Sequence, residues 1–224
     1  MTSVHPNTQK AELRALLAVD QVVTVAQLDR WDLLQAAGYL RLPCLELTCR
    51  TRVTQPDSYS DLTFVALERE PLDLAPRELM HLCGLAEARR GRVLEPGERW
   101  RHVSLKGRSK GNHPDAEIIQ TLDRDRRSDC AVEFDAGYAR DRVAVKLIAA
   151  AADGYTRILW ATSIHARTRT VMTLAVQLHR AGRLPNVTRV ETRFADFWSA
   201  HDPYVDRPRC HKAMTLTQDF SPAR

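Results

Sequence analysis

Apolar positions in the first third of the chain repeat at the spacing of helices and then change to the spacing of strands. Residues 8–18 place leucines on one helical face, and Thr24 is the expected N-cap of a second helical stripe that ends at Gly38. Residues 44–53 and 62–67 are extended, with turn residues between them. Helices followed by a hairpin predict a winged helix-turn-helix, although a small α+β cap with no DNA role fits the same order.

Strands and helices alternate in the rest of the chain. Pro76 begins a helix that continues to Arg89, because proline is favoured at the first helical position. From residue 114 onward the order β-β-α-β-α-β predicts an α/β layer architecture. The expected elements are short strands at 93–94 and 103–105, strands at 114–122 and 130–135, a helix at 139–152, a strand at 157–162, a helix at 167–180 and a strand at 187–194.

The composition excludes several classes of protein. With 224 residues, of which 44% are hydrophobic, the chain has a globular and not a disordered composition. No apolar run approaches the roughly 18 residues of a membrane span, and the first residues lack the pattern of a signal peptide. Five cysteines without a Cys-x-x-Cys pair predict neither a disulfide framework nor a cysteine-rich zinc site. We therefore expect a cytoplasmic protein with no membrane segment.

Basic residues are concentrated in one short segment. The chain has a net charge of +5, but residues 1–88 carry 8 basic and 12 acidic side chains. Residues 89–112 carry 8 basic and 2 acidic side chains, a net of +6. Such a segment either contacts nucleic acid or forms a solvated loop. In the first case the expected DNA-binding residues are Arg99, Arg101, Lys106, Arg108 and Lys110, together with Gln27 and Arg30 of the N-terminal helical region.

Three carboxylates lie on two neighbouring predicted strands. Glu133 and Asp135 follow Asp115 by 18 and 20 residues. Strand alternation places Glu133 and Asp135 on one face, where like charges repel unless a cation neutralises them. A divalent cation, Mg²⁺ or Mn²⁺, bound by Asp115, Glu133 and Asp135 can activate water for attack on a phosphate. The alternative is a solvated polar face paired with Arg140 or Arg142.

This arrangement resembles the PD-(D/E)xK restriction-endonuclease-like superfamily, with its Pro-Asp pair and second acidic motif on adjacent strands. It is most similar to the replication-relaxation proteins of bacterial plasmids and their MobC-type mobilisation relatives, over roughly residues 8–200. The motifs that carry the resemblance are Glu78-Leu79-Met80-His81, Trp100, His113-Pro114-Asp115-Ala116, Glu133-Phe134-Asp135-Ala136-Gly137, Val145-Lys146-Leu147 and Ile158-Leu159-Trp160-Ala161-Thr162.

The resemblance implies an α+β domain followed by an α/β domain. These are a winged helix-turn-helix at residues 1–75 and a restriction-endonuclease-like core, a mixed sheet flanked by helices, at 76–204, with a tail at 205–224. It implies double-stranded DNA as the partner, and replication or mobilisation proteins and a second copy of the chain as further partners. The implied activity is metal-dependent nicking or relaxation of plasmid DNA at an origin.

The sequence departs from the superfamily at the lysine that follows the second acidic residue by two positions, where this chain has Asp135. Lys146, on the next predicted helix, either supplies the missing charge as a relocated lysine or lies at the helix edge. The expected catalytic residues are therefore Asp115, Glu133, Asp135 and Lys146. The alternatives are a non-catalytic DNA-binding replication or transcription regulator with a degenerate nuclease fold, and a protein-interaction module.

Two further groups have open roles. Tyr138 and Tyr204 are candidates for a covalent nucleophile in DNA nicking, although a tyrosine at a strand end usually packs. Arg167 and Arg169 begin a predicted helix, so they either bind phosphate at its N-terminus or are simply exposed.

Overall fold

The computed structural model describes residues 5–52, 55–92, 94–103, 113–120, 128–200 and 215–220. The chain forms two compact units. Unit 1 consists of Met1–Glu87 and Asp196–Cys210, and unit 2 of Ala88–Ala195 and His211–Arg224. Unit 1 thus takes in the helix that follows residue 75 as far as Glu87, and a later segment returns to it. Among the described helices, none is long and apolar enough to cross a bilayer.

Unit 1 combines helices with a small antiparallel sheet. Its strands are arranged in the order β1-β3-β2, and each pairs with its neighbour in the antiparallel sense. The elements are α1 (Pro6–Asp20), β1 (Val22–Thr24), α2 (Val25–Arg30), α3 (Leu34–Leu40), β2 (Cys44–Arg50), β3 (Tyr59–Ala66), a 3₁₀ turn (Glu70–Asp73) and α4 (Pro76–Arg90), which continues into unit 2.

The helices of unit 1 form because their leucines share a core and their ends are capped. Leu13, Leu17 and Leu28 are buried together. Thr24 is the N-cap of α2, as the sequence predicts. The expected end of α3 at Gly38 is wrong by two residues. The helix continues to Leu40, and Arg41 adopts the left-handed conformation with φ of 51° and donates its N–H to the Gly38 carbonyl.

Unit 2 is built on a mixed six-stranded sheet, which confirms the mixed α/β class. The strand order is β4-β5-β6-β7-β8-β9; the three central strands β6, β7 and β8 are parallel, and the outer strands join them in the antiparallel sense. The elements are β4 (Glu98–His102), β5 (Ala116–Gln120), β6 (Ser128–Asp135), α5 (Arg140–Ala152), β7 (Arg157–Thr162), α6 (His165–Arg180), β8 (Arg189–Phe194) and β9 (Thr215–Asp219).

Helices α5 and α6 pack on one face of the central strands. Ala131, Ile158 and Val190 occupy matching positions on β6, β7 and β8, and they contact apolar side chains of both helices such as Leu147 and Val171. The middle of β6 and of β7 is buried and apolar, at residues 130–132 and 158–161, and the buried acidic residues Glu133 and Asp135 flank Phe134 at the end of β6. These two carboxylates therefore lie under the helices and not on a solvated face.

The edge strands differ from the prediction. The described edge strand is β4 at Glu98–His102, and Leu94 and Val103 of the predicted short strands are not part of it; Val93, Ser104 and Leu105 lie outside the described residues. Strand β9 was not predicted at all. An edge strand pairs on one side only and needs no apolar run. In β4, charged residues occupy most positions, so the sequence shows no alternation of apolar and polar residues.

Candidate functional site

Asp115 and Glu133 face each other across two paired strands. The Asp115 N–H donates to the Val132 carbonyl at 2.9 Å, and the Asp115 carbonyl accepts from the Val103 N–H at 3.1 Å. Since Ala116 pairs with Val132 in the antiparallel register, the preceding residue, Asp115, lies opposite Glu133. Directly opposed residues present their side chains on the same face of a sheet. The two carboxylates are therefore brought together, as the sequence predicts.

Lys146 completes this group from helix α5. Its Nζ lies 2.5 Å from Glu133 Oε2 and 3.8 Å from Asp115 Oδ1. Its side chain is only 7% exposed, so it points down onto the sheet and does not lie at the helix edge. Asp115 Oδ2 also accepts the Phe134 N–H at 2.8 Å. We call Asp115, Glu133 and Lys146 the carboxylate–lysine cluster.

Burial dominates the electrostatics of this cluster. Desolvation raises the pKa of Glu133 well above its ordinary value, and the charge of Asp115 raises it further. The ammonium of Lys146 acts in the opposite direction. Two carboxylates with one cation leave an excess of negative charge in a place with little water, and a divalent cation would relieve it. Asp115 and Glu133 would hold such an ion, because Mg²⁺ commonly uses one or two protein carboxylates and completes its shell with water and phosphate oxygens.

Asp135 does not join the cluster, which corrects the expected set of three metal-binding carboxylates. Its side chain has no exposed surface. Oδ1 accepts the N–H groups of Gly137 and Tyr138 at 2.6 and 2.5 Å, and Oδ2 forms an ion pair with Arg167 at 2.6 Å. Oδ2 also accepts from Arg167 Nε at 2.9 Å and lies 3.4 Å from Trp160 Nε1. Five N–H donors thus satisfy this carboxylate. Among the described residues, no three acidic, histidine or cysteine side chains form a group that could hold a metal ion.

The cations beside the carboxylates are not those of the alternative in which a solvated polar face pairs with Arg140 or Arg142. Arg140 donates to Gln177 at 2.9 Å, and the Arg142 guanidinium lies over the Tyr138 ring, 4.5 Å from its centroid. Lys146 pairs with Glu133, as the relocated lysine predicts, and Arg167 pairs with Asp135. Arg167 is ion-paired and only 17% exposed, whereas Arg169, two residues on, is exposed.

The basic segment leads to the cluster along strand β4. Arg99 is exposed, and Arg101 is 55% exposed while donating from Nε to Glu117 at 3.0 Å. The strand ends beside Val103, whose N–H bonds to Asp115. Lys106, Arg108 and Lys110 lie outside the described residues, as does Tyr204. The positive charge of β4 therefore begins one strand away from Asp115.

Gln27 and Arg30 are internal, which corrects their predicted contact with DNA. Gln27 is fully buried; its Oε1 accepts the Thr24 N–H at 3.0 Å and its Nε2 donates to Glu87 at 2.9 Å. Arg30 is 4% exposed, forms an ion pair with Glu87 at 2.8 Å and also donates to the Ser199 carbonyl. Their polar groups are occupied inside unit 1 and do not reach a phosphate.

The sequence leaves the role of Arg167 open between a phosphate ligand and an exposed residue, and predicts Asp135 as a metal ligand. In the structure these two residues pair with each other. The sequence Asp135-Ala136-Gly137 was a usable signal, because an aspartate two residues before a glycine commonly accepts backbone N–H groups in a turn. That signal marks Asp135 as a turn residue and not as a ligand.

No family model, no curated protein and no solved structure matches the chain. The resemblance to replication-relaxation proteins therefore stays a prediction. What can be said of function rests on the chemistry of the carboxylate–lysine cluster and on the charge beside it.

Proposed function

We propose that this protein binds double-stranded DNA and cleaves one strand with a divalent metal ion, as a nicking or relaxing protein of the replication-relaxation type. The observation that carries the proposal is the convergence of Asp115, Glu133 and Lys146. They belong to two paired strands and the following helix, and Lys146 lies 2.5 Å from Glu133. Two acidic residues and a lysine are the composition of a PD-(D/E)xK site.

The carboxylates and the lysine have different tasks in this proposal. Asp115 and Glu133 would hold Mg²⁺ or Mn²⁺, an ion that would supply an activated water and offset charge on the phosphate. Lys146 supplies the cation that the superfamily places two residues after the second acid, where this chain has Asp135. Its ammonium would offset negative charge on a phosphate oxygen. Arg99 and Arg101 on β4 attract the DNA backbone toward Asp115.

Unit 1 is proposed to be a winged helix-turn-helix. The order α1-β1-α2-α3-β2-β3, with the strands arranged β1-β3-β2, supports this. In this reading the hairpin β2–β3 is the wing, with Arg50 and Arg52 near its tip as candidates for phosphate contact. Residues 1–88 carry a net charge of −4, so we expect unit 1 to contribute less to affinity than the basic segment.

A nicking assay on supercoiled plasmid tests the proposal. The wild-type protein should convert it to open circles in Mg²⁺ or Mn²⁺, and the Asp115→Asn and Glu133→Gln variants should not, because each loses one ligand charge. Asp141→Asn is the matched control, since Asp141 is an exposed carboxylate at the start of α5. A pure preparation that binds DNA but does not nick it in either metal would refute the catalytic half of the proposal.

The rival is a non-catalytic DNA-binding regulator with a degenerate nuclease fold. Its support is that both carboxylates already have hydrogen-bond donors within the protein: Lys146 donates to Glu133, and the Phe134 N–H donates to Asp115. Under this reading Asp115→Asn lowers thermal stability without altering DNA affinity, and no metal changes the melting temperature. A rise in melting temperature with Mn²⁺ in the wild type, lost in Asp115→Asn, favours the metal-dependent enzyme.

A further inference from the structure

We propose that Tyr138, whose backbone is held by Asp135 and Arg167, is a positioning residue whose ring keeps the Lys146 ammonium between Glu133 and Asp115. This inference rests on the function proposed above, since it assigns a role beside the same cluster. Tyr138 follows strand β6 and precedes helix α5, so it lies between the strand that carries Glu133 and the helix that carries Lys146.

The backbone of Tyr138 is held on both sides. Its N–H donates to Asp135 Oδ1 at 2.5 Å, and its carbonyl accepts from Arg167 Nη2 at 2.7 Å. Arg167 is itself tied to Asp135 Oδ2 through Nε at 2.9 Å and Nη2 at 2.6 Å. The planar guanidinium presents these donors in a fixed fork, so one residue fixes both a carboxylate and a carbonyl. The turn that carries Tyr138 is therefore rigid.

The ring of Tyr138 faces two cations of α5. Arg142 lies 4.5 Å and Lys146 5.7 Å from its centroid, within the distance of a cation–π contact. A lysine ammonium sits on four flexible carbons and loses rotamer freedom when it is held in one place. The Tyr138 ring beside that ammonium excludes alternative positions of the Lys146 side chain, and this favours the position next to Glu133.

The tyrosine hydroxyl has no need to take part. Burial raises the pKa of Tyr138, and the charges of Asp115 and Glu133 raise it further. The ring alone accounts for the contacts with Lys146 and Arg142.

Substitutions that separate the ring from the hydroxyl test the proposal. Tyr138→Phe keeps the ring, and Tyr138→Met fills the space with a flexible side chain that has no ring. Arg167→Lys keeps the charge but cannot bond both Asp135 and the Tyr138 carbonyl; Arg169→Lys, an exposed arginine of the same helix, is its matched control. The readouts are kcat and KM for plasmid nicking, and the rate of reductive methylation of Lys146 by mass spectrometry with Lys10 as internal reference.

We expect Tyr138→Phe and Arg169→Lys to behave like the wild type. Tyr138→Met and Arg167→Lys should lose roughly three- to thirty-fold in kcat, the range of a cation–π contact converted to a rate, with KM unchanged within about two-fold. In both, Lys146 should methylate several-fold faster. Loss of nicking in Tyr138→Phe would overturn the proposal in favour of a role for the hydroxyl. Unchanged methylation and kcat in Tyr138→Met would overturn it as well.

The methylation measurement separates this inference from the proposed function. If the wild type does not nick DNA, the proposed function fails, yet the reactivity of Lys146 still decides whether the ring positions it. If Tyr138→Met does not fold, Arg167→Lys and Tyr138→Phe supply the same comparison. Faster methylation in Arg167→Lys but not in Tyr138→Phe supports the proposal, and equal rates in both refute it.

Discussion

The Asp135→Lys substitution distinguishes two hypotheses: a nuclease in which Lys146 is the relocated catalytic lysine, and a degenerate nuclease that has lost this lysine. The substitution restores the superfamily pattern, so a decayed nuclease would gain activity from it. The structure predicts the opposite outcome. Asp135 has no exposed surface and lies 2.6 Å from the Arg167 guanidinium, so a lysine there would place a second cation beside the first. We therefore expect Asp135→Lys to destabilise the protein strongly without producing any nicking.

The size of the effect follows from the five N–H donors on Asp135. Removing one partner of a buried ion pair costs about 3–5 kcal/mol, and the added like charge puts Asp135→Lys at or above the upper end of that range. Asp135→Asn keeps an oxygen for the N–H groups of Gly137 and Tyr138, but its NH₂ group cannot accept from Arg167, so the charge and those hydrogen bonds are lost and about 1.5–3 kcal/mol is expected. Asp141→Lys, on the exposed start of α5, should lie within about 0.5 kcal/mol of the wild type.

Urea unfolding followed by circular dichroism and tryptophan fluorescence measures this series. The expected order of midpoints is wild type equal to Asp141→Lys, then Asp135→Asn, then Asp135→Lys. If Asp135→Lys unfolds at the wild-type midpoint, the buried ion pair with Arg167 is not formed. If it also nicks plasmid where the wild type does not, Lys146 is not the catalytic cation and the rival reading of a decayed nuclease is correct.

Three more outcomes are expected. Arg99→Gln should weaken DNA binding and reduce the slope of log affinity against log salt by about 0.9, one phosphate contact, while Arg14→Gln on the exposed side of α1 should not. Burial raises the pKa of Glu87 from 4.5 to about 7, against the lowering effect of Arg30. The contribution of Glu87 to the free energy of unfolding is therefore present in full below pH 4.5 and is lost as the pH rises through about 7; between these values the urea midpoint of the wild type should fall relative to that of Glu87→Gln. Thr24→Ala removes the cap of α2 and should cost about 0.5–2 kcal/mol in the same assay.

The regular parts of unit 2 could be predicted because their patterns are local. Strand β7 occupies the predicted residues 157–162, and α5 begins one residue from its expected start. Their apolar runs and amphipathic spacing follow from burial between the sheet and the helices. Strand β9 could not be predicted, since its partner β8 is more than twenty residues away and no apolar run marks it.

Only the part of the site that depends on strand pairing could be predicted. Asp115 and Glu133 come together because their strands follow each other in the sequence and pair. Whether Lys146 or Arg142 reaches the sheet could not be predicted, because both lie on one face of α5 and only the packing of that helix decides. Gln27 was assigned to DNA although Thr24-x-x-Gln27 is the pattern of a capping box, in which the glutamine bonds back to the N-cap.

The return of the chain to unit 1 affects the order in which the protein can fold. Thr24 Oγ1 donates to the Phe197 carbonyl at 2.5 Å, and Arg30 donates to the carbonyls of Asp196 and Ser199. These partners are synthesised about 170 residues after the helix they complete. Arg30 is buried in the folded protein, but during translation α2 leaves the ribosome before its carbonyl partners exist. Unit 1 can therefore reach its final packing only after all of β4 to β8 has been made.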